Sequence, residues 1–423
     1  MSLQGARELV LNLIGNALTW YSYTLFMYFL SFIAVEFFSA EYASLDTLVS
    51  LVFALGLYAR PIGGIVFGSI SDRFGKDRSI CLSIIIMVCS TVGIGLIPSY
   101  RSIGWMSVVL LSLCRFCQGI ALGGEYTAVI VKSVERADLR YRGFWGAMME
   151  CSGSIGMLLA SAAAVGYSFG LYDMRIPFIG ALFLLPFAFI GHSGEIKSDV
   201  QENEESDGCL LNFDKLDDKQ RAECSMGLLD VMCKYRLEIA VIALVTSFSG
   251  ISYYTMLSFV PYYLKCVYDS AAVSELYMHV STVMLIATFI GGLISIRYSY
   301  NFSILLQCGA ICTMCSAGVF FLCGIDSWGL TYLSILGCAV GIGLYFSTRS
   351  AYFVSALPKE VRCRGIGVPM NFAQAFVGGS TMVLAQKISQ HSMKAVFIPI
   401  AILCVGMMLS LHYMGKKKTI AYT

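Results

Sequence analysis

The sequence predicts an all-α integral membrane protein of twelve transmembrane helices in two six-helix bundles. Three observations point there. Apolar residues make up 57% of the 423 residues and charged residues only 13%, with a mean hydropathy of +0.73, whereas a soluble domain is about 25% charged. The apolar residues gather into about twelve runs of the length that a hydrocarbon core about 30 Å thick requires, about 20 residues each. A polar, acid-rich break splits the runs six and six. Short alternating segments, the mark of a membrane barrel, are missing.

The runs begin near residues 9, 46, 79, 103, 143, 175, 236, 273, 300, 328, 363 and 393. The first, Leu9 to Phe38, is too long for the apolar core of a signal peptide and lacks a small-residue cleavage site, so it reads as a helix. The second and third are divided by the charged turn Gly68 to Arg78, the third and fourth by Pro98 to Gly104, the fourth and fifth by the basic stretch Lys132 to Arg142. After the sixth, hydropathy collapses into a stretch carrying Glu202, Glu204, Glu205, Asp207, Asp214, Asp217 and Asp218. The expected organisation is therefore an N-terminal bundle over 1–191, a cytoplasmic linker over 192–235, a C-terminal bundle over 236–415 and a basic tail over 416–423. The linker is expected to be solvated, with a surface helix over Met226 to Cys233 as the other reading. Sixteen cysteines include Cys114-x-x-Cys117 and Cys312-x-x-Cys315, but both pairs fall inside apolar runs and read as small packing residues rather than metal ligands.

Lys and Arg concentrate in alternate loops: Arg73, Lys76 and Arg78; Lys132, Arg136, Arg140 and Arg142; Lys359, Arg362 and Arg364; Lys416 to Lys418. The positive-inside rule makes these loops, and both termini, cytoplasmic.

The turn Gly68-Ser-Ile-Ser-Asp72-Arg73-Phe-Gly75-Lys-Asp-Arg78 resembles the loop signature of the major facilitator superfamily. A degraded second copy follows the eighth run, where Arg297 survives but Ile296 and Ser299 replace the Asp and Gly. The fourth run and the loop after it read Arg115-x-x-Gln118-Gly119-x-x-x-Gly123-Gly124-Glu125-Tyr126, then Arg142-Gly143-Phe144, a pattern similar to the metabolite:proton symporter family within that superfamily. Gly15-Asn16, Trp20-Tyr21, Arg362, Gly365 and Gly378-Gly379 add to the likeness. The chain departs from the family where Thr19 and Ser22 stand in place of two helix 1 acids, and where Ser355 and Met382 replace a Glu and a Pro. The resemblance implies a monomeric carrier in a bacterial inner membrane, built of parallel halves with the substrate near the midplane, and a proton as the coupling ion.

Ionisable residues inside a bilayer are functional candidates by default. Arg115, Gln118 and Glu125 lie three and seven residues apart, which places them within about 80° of one helix face. Arg115 suits a bidentate bond to a substrate carboxylate. Glu125 and Glu150 suit proton or sodium coupling, because a carboxylate in a low-dielectric cavity has a raised proton affinity. Arg349, inside an otherwise apolar run, suits an anionic substrate from the second half, or snorkels to the cytoplasmic surface. Asn16, Tyr21, Asn371 and Gln374 complete the candidate substrate set. Asp72 is expected to cap a helix N-terminus near Arg364-Gly365 and so close an inner gate; Gly68, Arg73, Gly75, Arg78, Arg142 and Arg362 are its expected companions.

No G-x-S-x-G elbow, H-E-x-x-H or phosphate-binding glycine loop occurs, so neither an enzyme nor a cofactor is expected, and nothing suggests a nucleic-acid partner. The expected partners are a small molecule and the lipid bilayer. The leading expectation is proton-coupled transport of an osmolyte such as proline or betaine, or of a small carboxylate; the loss of the helix 1 acids leaves an uncoupled facilitator or exchanger of organic acids as the alternative.

Overall fold

A computed structural model describes residues 3–39, 45–184, 186, 218–297, 302–324 and 327–422. The acids from Glu202 to Asp217, and Ser299 of the degraded signature, lie outside them. The described residues form twelve helical spans in the predicted order. Span 1 is Leu3–Tyr28 continued by Leu30–Phe37; span 2 is Leu45–Tyr58 with Arg60–Phe74; spans 3, 4 and 5 are Lys76–Leu96, Trp105–Arg136 and Arg142–Ser168. Span 6 opens with Arg175–Gly180 and the tighter turn Ala181–Leu184. Span 7 is Arg236–Tyr254, a wide π turn Thr255–Phe259, then Val260–Val267; spans 8, 9 and 10 begin with Ser270–Ser295, Phe302–Val319 and Trp328–Ala356. Span 11 is Arg362–Ala373, the π turn Gln374–Gly378 and Gly379–Ser389; span 12 is Phe397–Tyr422.

Nine stretches among the described residues are long and apolar enough to cross a membrane. The remaining three are spans 1, 6 and 11. Span 1 is broken at Phe29, span 6 leaves the described region, and Pro369 with the following π turn interrupts span 11. Proline removes a helix hydrogen bond and crowds the preceding turn, and π turns of this kind recur at functional sites.

Span 4 shows how the sequence suits lipid. Met106, Val109 and Leu113 are exposed while Ser107, Leu111, Arg115, Gln118 and Glu125 are buried, so the apolar face looks out and the polar face looks in. Its 32 residues rise about 48 Å at 1.5 Å each, well beyond the hydrocarbon core. The final turns therefore stand clear of it, carrying Lys132 and Glu135.

The chain divides into two compact units. The first comprises Met1–Arg136, Ser152–Lys234 and Pro358–Asn371; the second comprises Ala137–Cys151, Tyr235–Leu357 and Phe372–Thr423. The first unit has an aromatic-rich core in which Phe26, Phe29, Phe37, Leu111 and Phe178 are buried together. Its helices cross at glycines. A Cβ on Gly123 would stand 2.2 Å from the Arg60 carbonyl oxygen, and one on Gly156 would stand 2.0 Å from that of Ala17. In the second unit a Cβ on Gly341 would meet the Thr313 hydroxyl at 2.4 Å, and the Tyr345 hydroxyl donates to the Val245 carbonyl at 2.7 Å.

The described end of the linker is more ordered than a solvated stretch. It forms the helices Asp218–Ser225 and Leu228–Lys234, with Val231 buried. Asp230 reaches back to accept from the Gly227 N–H at 3.1 Å, which satisfies a free donor at a helix start, and Lys234 pairs with Glu223 at 3.2 Å.

Candidate functional site

In the first unit, Gly75 sits at φ 96° between spans 2 and 3, a conformation that costs a side-chain-bearing residue energy and leaves glycine free. That turn fixes Asp72 one turn earlier. One Asp72 carboxylate oxygen accepts from the Cys363 N–H at 2.9 Å; the other accepts from the Arg364 N–H at 2.9 Å and its Nε at 3.0 Å. These are first-turn donors of span 11, where the helix leaves its N–H groups unsatisfied and its dipole favours a negative charge. Gly68 permits the approach, since its Cβ would lie 3.2 Å from the Cys363 carbonyl oxygen. Arg364 is almost fully buried and also donates to the Met226 carbonyl at 2.7 Å.

Beside this cap, Glu135 receives Lys76 at 2.8 Å and also pairs with Arg362, while Lys132 pairs with Asp77. Arg73 is half-buried in the last turn of span 2, Arg78 is exposed, and Arg142 starts span 5 half-buried. The sequence pointed to Asp72 and Arg362 but treated Lys132 as loop charge; it is fully buried at the protruding end of span 4.

Arg115 lies inside the first unit. Its Nη1 donates to the Tyr23 carbonyl at 3.1 Å and to Gln118 Oε1 at 2.9 Å, and its guanidinium sits 4.2 Å from the Tyr23 ring centroid. Gln118 passes the chain of bonds to the Thr91 hydroxyl at 2.8 Å. Glu125 shares the helix face but stands about 15 Å further along the axis. It is fully buried, beside the Thr19 hydroxyl, and neither of its oxygens has a well-formed hydrogen bond. Asn16 donates to the Ser152 hydroxyl at 2.7 Å, and Tyr21 to the Pro177 carbonyl at 3.2 Å. Asn371 donates to the carbonyls of Gly123 and Gly367, each at 2.8 Å, and accepts from Arg60 Nε at 3.2 Å. Arg60, 2% exposed, is a buried cation that sequence reasoning missed. The available signal was a lone charge within the apolar run before Pro61-Ile-Gly-Gly.

The second unit brings three spans together around two opposite charges. Arg349 of span 10 donates through Nη2 to Glu150 of span 5 at 2.7 Å and through Nη1 to the Ser249 hydroxyl of span 7 at 3.2 Å. The Ser350 hydroxyl donates to the same Glu150 oxygen at 3.0 Å. Both charged side chains keep a little exposure, 7% for Arg349 and 11% for Glu150. Aromatic rings flank the cation. The guanidinium is 4.5 Å from the Phe346 ring centroid, Phe346 lies 5.9 Å from Tyr253, and Tyr253 meets Tyr254 edge-on at 5.5 Å. Gln374, in the π turn of span 11, is close to Gly250 of span 7, whose Cβ would lie 3.4 Å from its amide oxygen. Glu150 and Arg349 were each singled out in sequence; their pairing was not.

The family model described as Major Facilitator Superfamily matches residues 13–382. The chain belongs to that superfamily. A relative in Staphylococcus haemolyticus (strain JCSC1435) is 30% identical over 385 residues, covering 87% of this chain and 78% of its own. The Escherichia coli K12 protein named Proline/betaine transporter is 27% identical over 426 residues, covering 93% of this chain and 80% of its own. Among solved structures, the major facilitator proton:xylose symporter XylE bound to 6-bromo-6-deoxy-D-glucose superposes with a TM-score of 0.75 at 15% identity, covering 97% of this chain and 95% of that one. The human organic anion transporter TETRAN gives 0.69 at 13% identity, covering 97% and 100%. At these identities the structures speak for fold alone. The protein is a multi-pass major facilitator transporter, not an enzyme, with twelve spans in two six-helix bundles.

Proposed function

We propose that this transporter is a secondary active importer of a small zwitterionic osmolyte such as proline or betaine, coupled to a proton and working by alternating access. The observation that carries the reading is the Glu150–Arg349 pair beside Phe346 and Tyr253. A zwitterion presents the complement of each part. Its carboxylate matches the planar fork of Arg349, and its ammonium matches aromatic faces. On binding, the substrate carboxylate takes Arg349 from Glu150. The released Glu150 carboxylate then accepts a proton from water at Oε1, which offsets the cost of leaving an unpaired anion in low dielectric. On the far side the proton leaves, Glu150 re-forms its bond to Arg349 and the substrate departs.

In the same reading the cap of Asp72 on span 11 is the inner latch, and it opens as halves 1–191 and 236–415 rock about the bound substrate, tethered by linker 192–235. The names of the proline/betaine relatives support the substrate class, and the basic loops support cytoplasmic termini in a bacterial inner membrane. The carrier works as a monomer.

The test is uptake into proteoliposomes of labelled glycine betaine, proline and 2-oxoglutarate under an imposed proton gradient. The reading expects the two zwitterions to accumulate above equilibrium and 2-oxoglutarate to stay outside; accumulation of 2-oxoglutarate alone would overturn the substrate class.

A further inference from the structure

The described end of the linker is bonded to the residue that pairs with Asp72. Its two helices, Asp218–Ser225 and Leu228–Lys234, are joined by Met226 and Gly227, and the Met226 carbonyl accepts from Arg364 Nη1 at 2.7 Å. The same guanidinium donates through Nε to Asp72 at 3.0 Å and through Nη2 to the Glu360 carbonyl at 3.3 Å. All three nitrogens are therefore engaged, one of them by the linker. Met226 is the first residue past Asp218–Ser225, and its N–H continues the last turn by donating to the Glu223 carbonyl at 3.3 Å. The negative end of a helix dipole favours a cation there. Arg364 thus joins the end of a linker helix to the acid that caps span 11.

A linker that only ties two bundles together needs neither buried side chains nor a bond to a gate residue. This one has both. Val231 is 0% exposed and Glu223 3%, Lys234 ties the second helix to the first through Glu223, and the first helix packs on the turn Lys359–Val361 that leads into span 11. We propose that residues 218–234 are a strap that restrains the inner latch. While the Met226 carbonyl holds Arg364, the guanidinium is fixed in the orientation that serves Asp72, and a donor of this kind loses stability when a carbonyl partner is withdrawn. The strap also has a means of release. Only Tyr235 separates Leu228–Lys234 from span 7, which begins at Arg236 and carries Ser249, the hydroxyl partner of Arg349. A shift of span 7 reaches the strap through one residue. The inference rests on the reading of the Asp72 cap as the inner latch, and gives the linker a regulatory part beyond that of a tether.

The test compares maleimide labelling of Cys363 in inside-out vesicles holding the full chain as wild type, Val231→Asp, Asp72→Asn or the double variant, with Cys338 as the control for general unfolding. A carboxylate at Val231 expels the second helix and with it the adjoining Met226, and leaves Asp72, Cys363 and Arg364 in place. The proposal expects labelling about tenfold faster in Val231→Asp, because water replaces the lost carbonyl only in part. It expects less than a further threefold when the change is added to Asp72→Asn, because the strap acts through a bond that this variant has already lost. If Cys338 also becomes fast in Val231→Asp, Val231→Ala is read in its place, with at least a threefold gain expected. A rate within about twofold of wild type in the variant that keeps Cys338 slow, beside fast labelling in Asp72→Asn, would overturn the strap and leave the latch standing. No acceleration in either variant would overturn the latch and the strap with it. A full tenfold gain in both backgrounds would overturn the strap too, since the linker would then merely cover Cys363.

Discussion

Replacing Asp72 by Asn tests the latch with little change in shape. The carboxylate accepts three bonds, from Cys363 N–H, Arg364 N–H and Arg364 Nε, and the Asp72 and Arg364 side chains are each 1% exposed. An amide keeps one oxygen. Its NH2 must face an N–H donor, so at least one bond becomes a repulsion and Arg364 loses its counter-charge. Breaking a buried pair from one side costs about 3–5 kcal/mol. Arg364 keeps its bond to the Met226 carbonyl at 2.7 Å, which argues for the low end, about 3 kcal/mol, or roughly a hundredfold in the opening equilibrium. Cys363 is a built-in reporter: it is fully buried and its own N–H binds Asp72. Maleimide labelling of Cys363 in inside-out vesicles, followed by peptide mass spectrometry, should be roughly a hundredfold faster in Asp72→Asn. Cys338, 1% exposed in span 10, should stay slow in both proteins and so exclude general unfolding. A Cys363 rate within about threefold of wild type, in correctly inserted protein, would refute the reasoning.

Other predictions concern packing and substrate contact. Gly123→Ala forces a Cβ to within 2.2 Å of the Arg60 carbonyl oxygen, and such overpacking should lower stability by about 1–3 kcal/mol, read as a lower unfolding temperature; an unchanged temperature would contradict the close crossing. Arg115→Lys loses the planar guanidinium that lies 4.2 Å from the Tyr23 ring centroid and 4.6 Å from that of Phe26 and should lower the unfolding temperature while leaving the half-saturating substrate concentration unchanged; a raised half-saturation would place Arg115 at the substrate. Arg349→Lys keeps the charge but cannot hold Ser249 and a carboxylate with one planar group, so half-saturation by proline or betaine should rise about tenfold. Equal half-saturation in the two proteins would remove Arg349 from the binding site.

Span order and the identity of the capping acid were legible in the sequence because both are local. Apolar run length marks the spans, and Gly75 three residues after Asp72 marks the turn that aims the carboxylate. The helix that Asp72 caps was also legible, since span 11 opens among Arg362 and Arg364. The Glu150–Arg349 bond was not: its residues are 199 positions apart, and no periodicity within either span reports on the other. Lys132 was hidden for another reason. A reading that treats every basic cluster as solvated loop cannot see that span 4 continues as helix past the membrane and buries that ammonium against Asp77.

The central claim is that Glu150 ties substrate to a proton through Arg349. It is tested most directly by comparing wild type and Glu150→Gln in two assays on the same proteoliposomes: accumulation of labelled betaine or proline driven by a proton gradient, and exchange of labelled for unlabelled solute without a gradient. The account predicts that Glu150→Gln loses accumulation and retains exchange, because the amide cannot carry the proton while Arg349 still receives the carboxylate. Gradient-driven accumulation equal to wild type would contradict it, and so would loss of exchange together with accumulation.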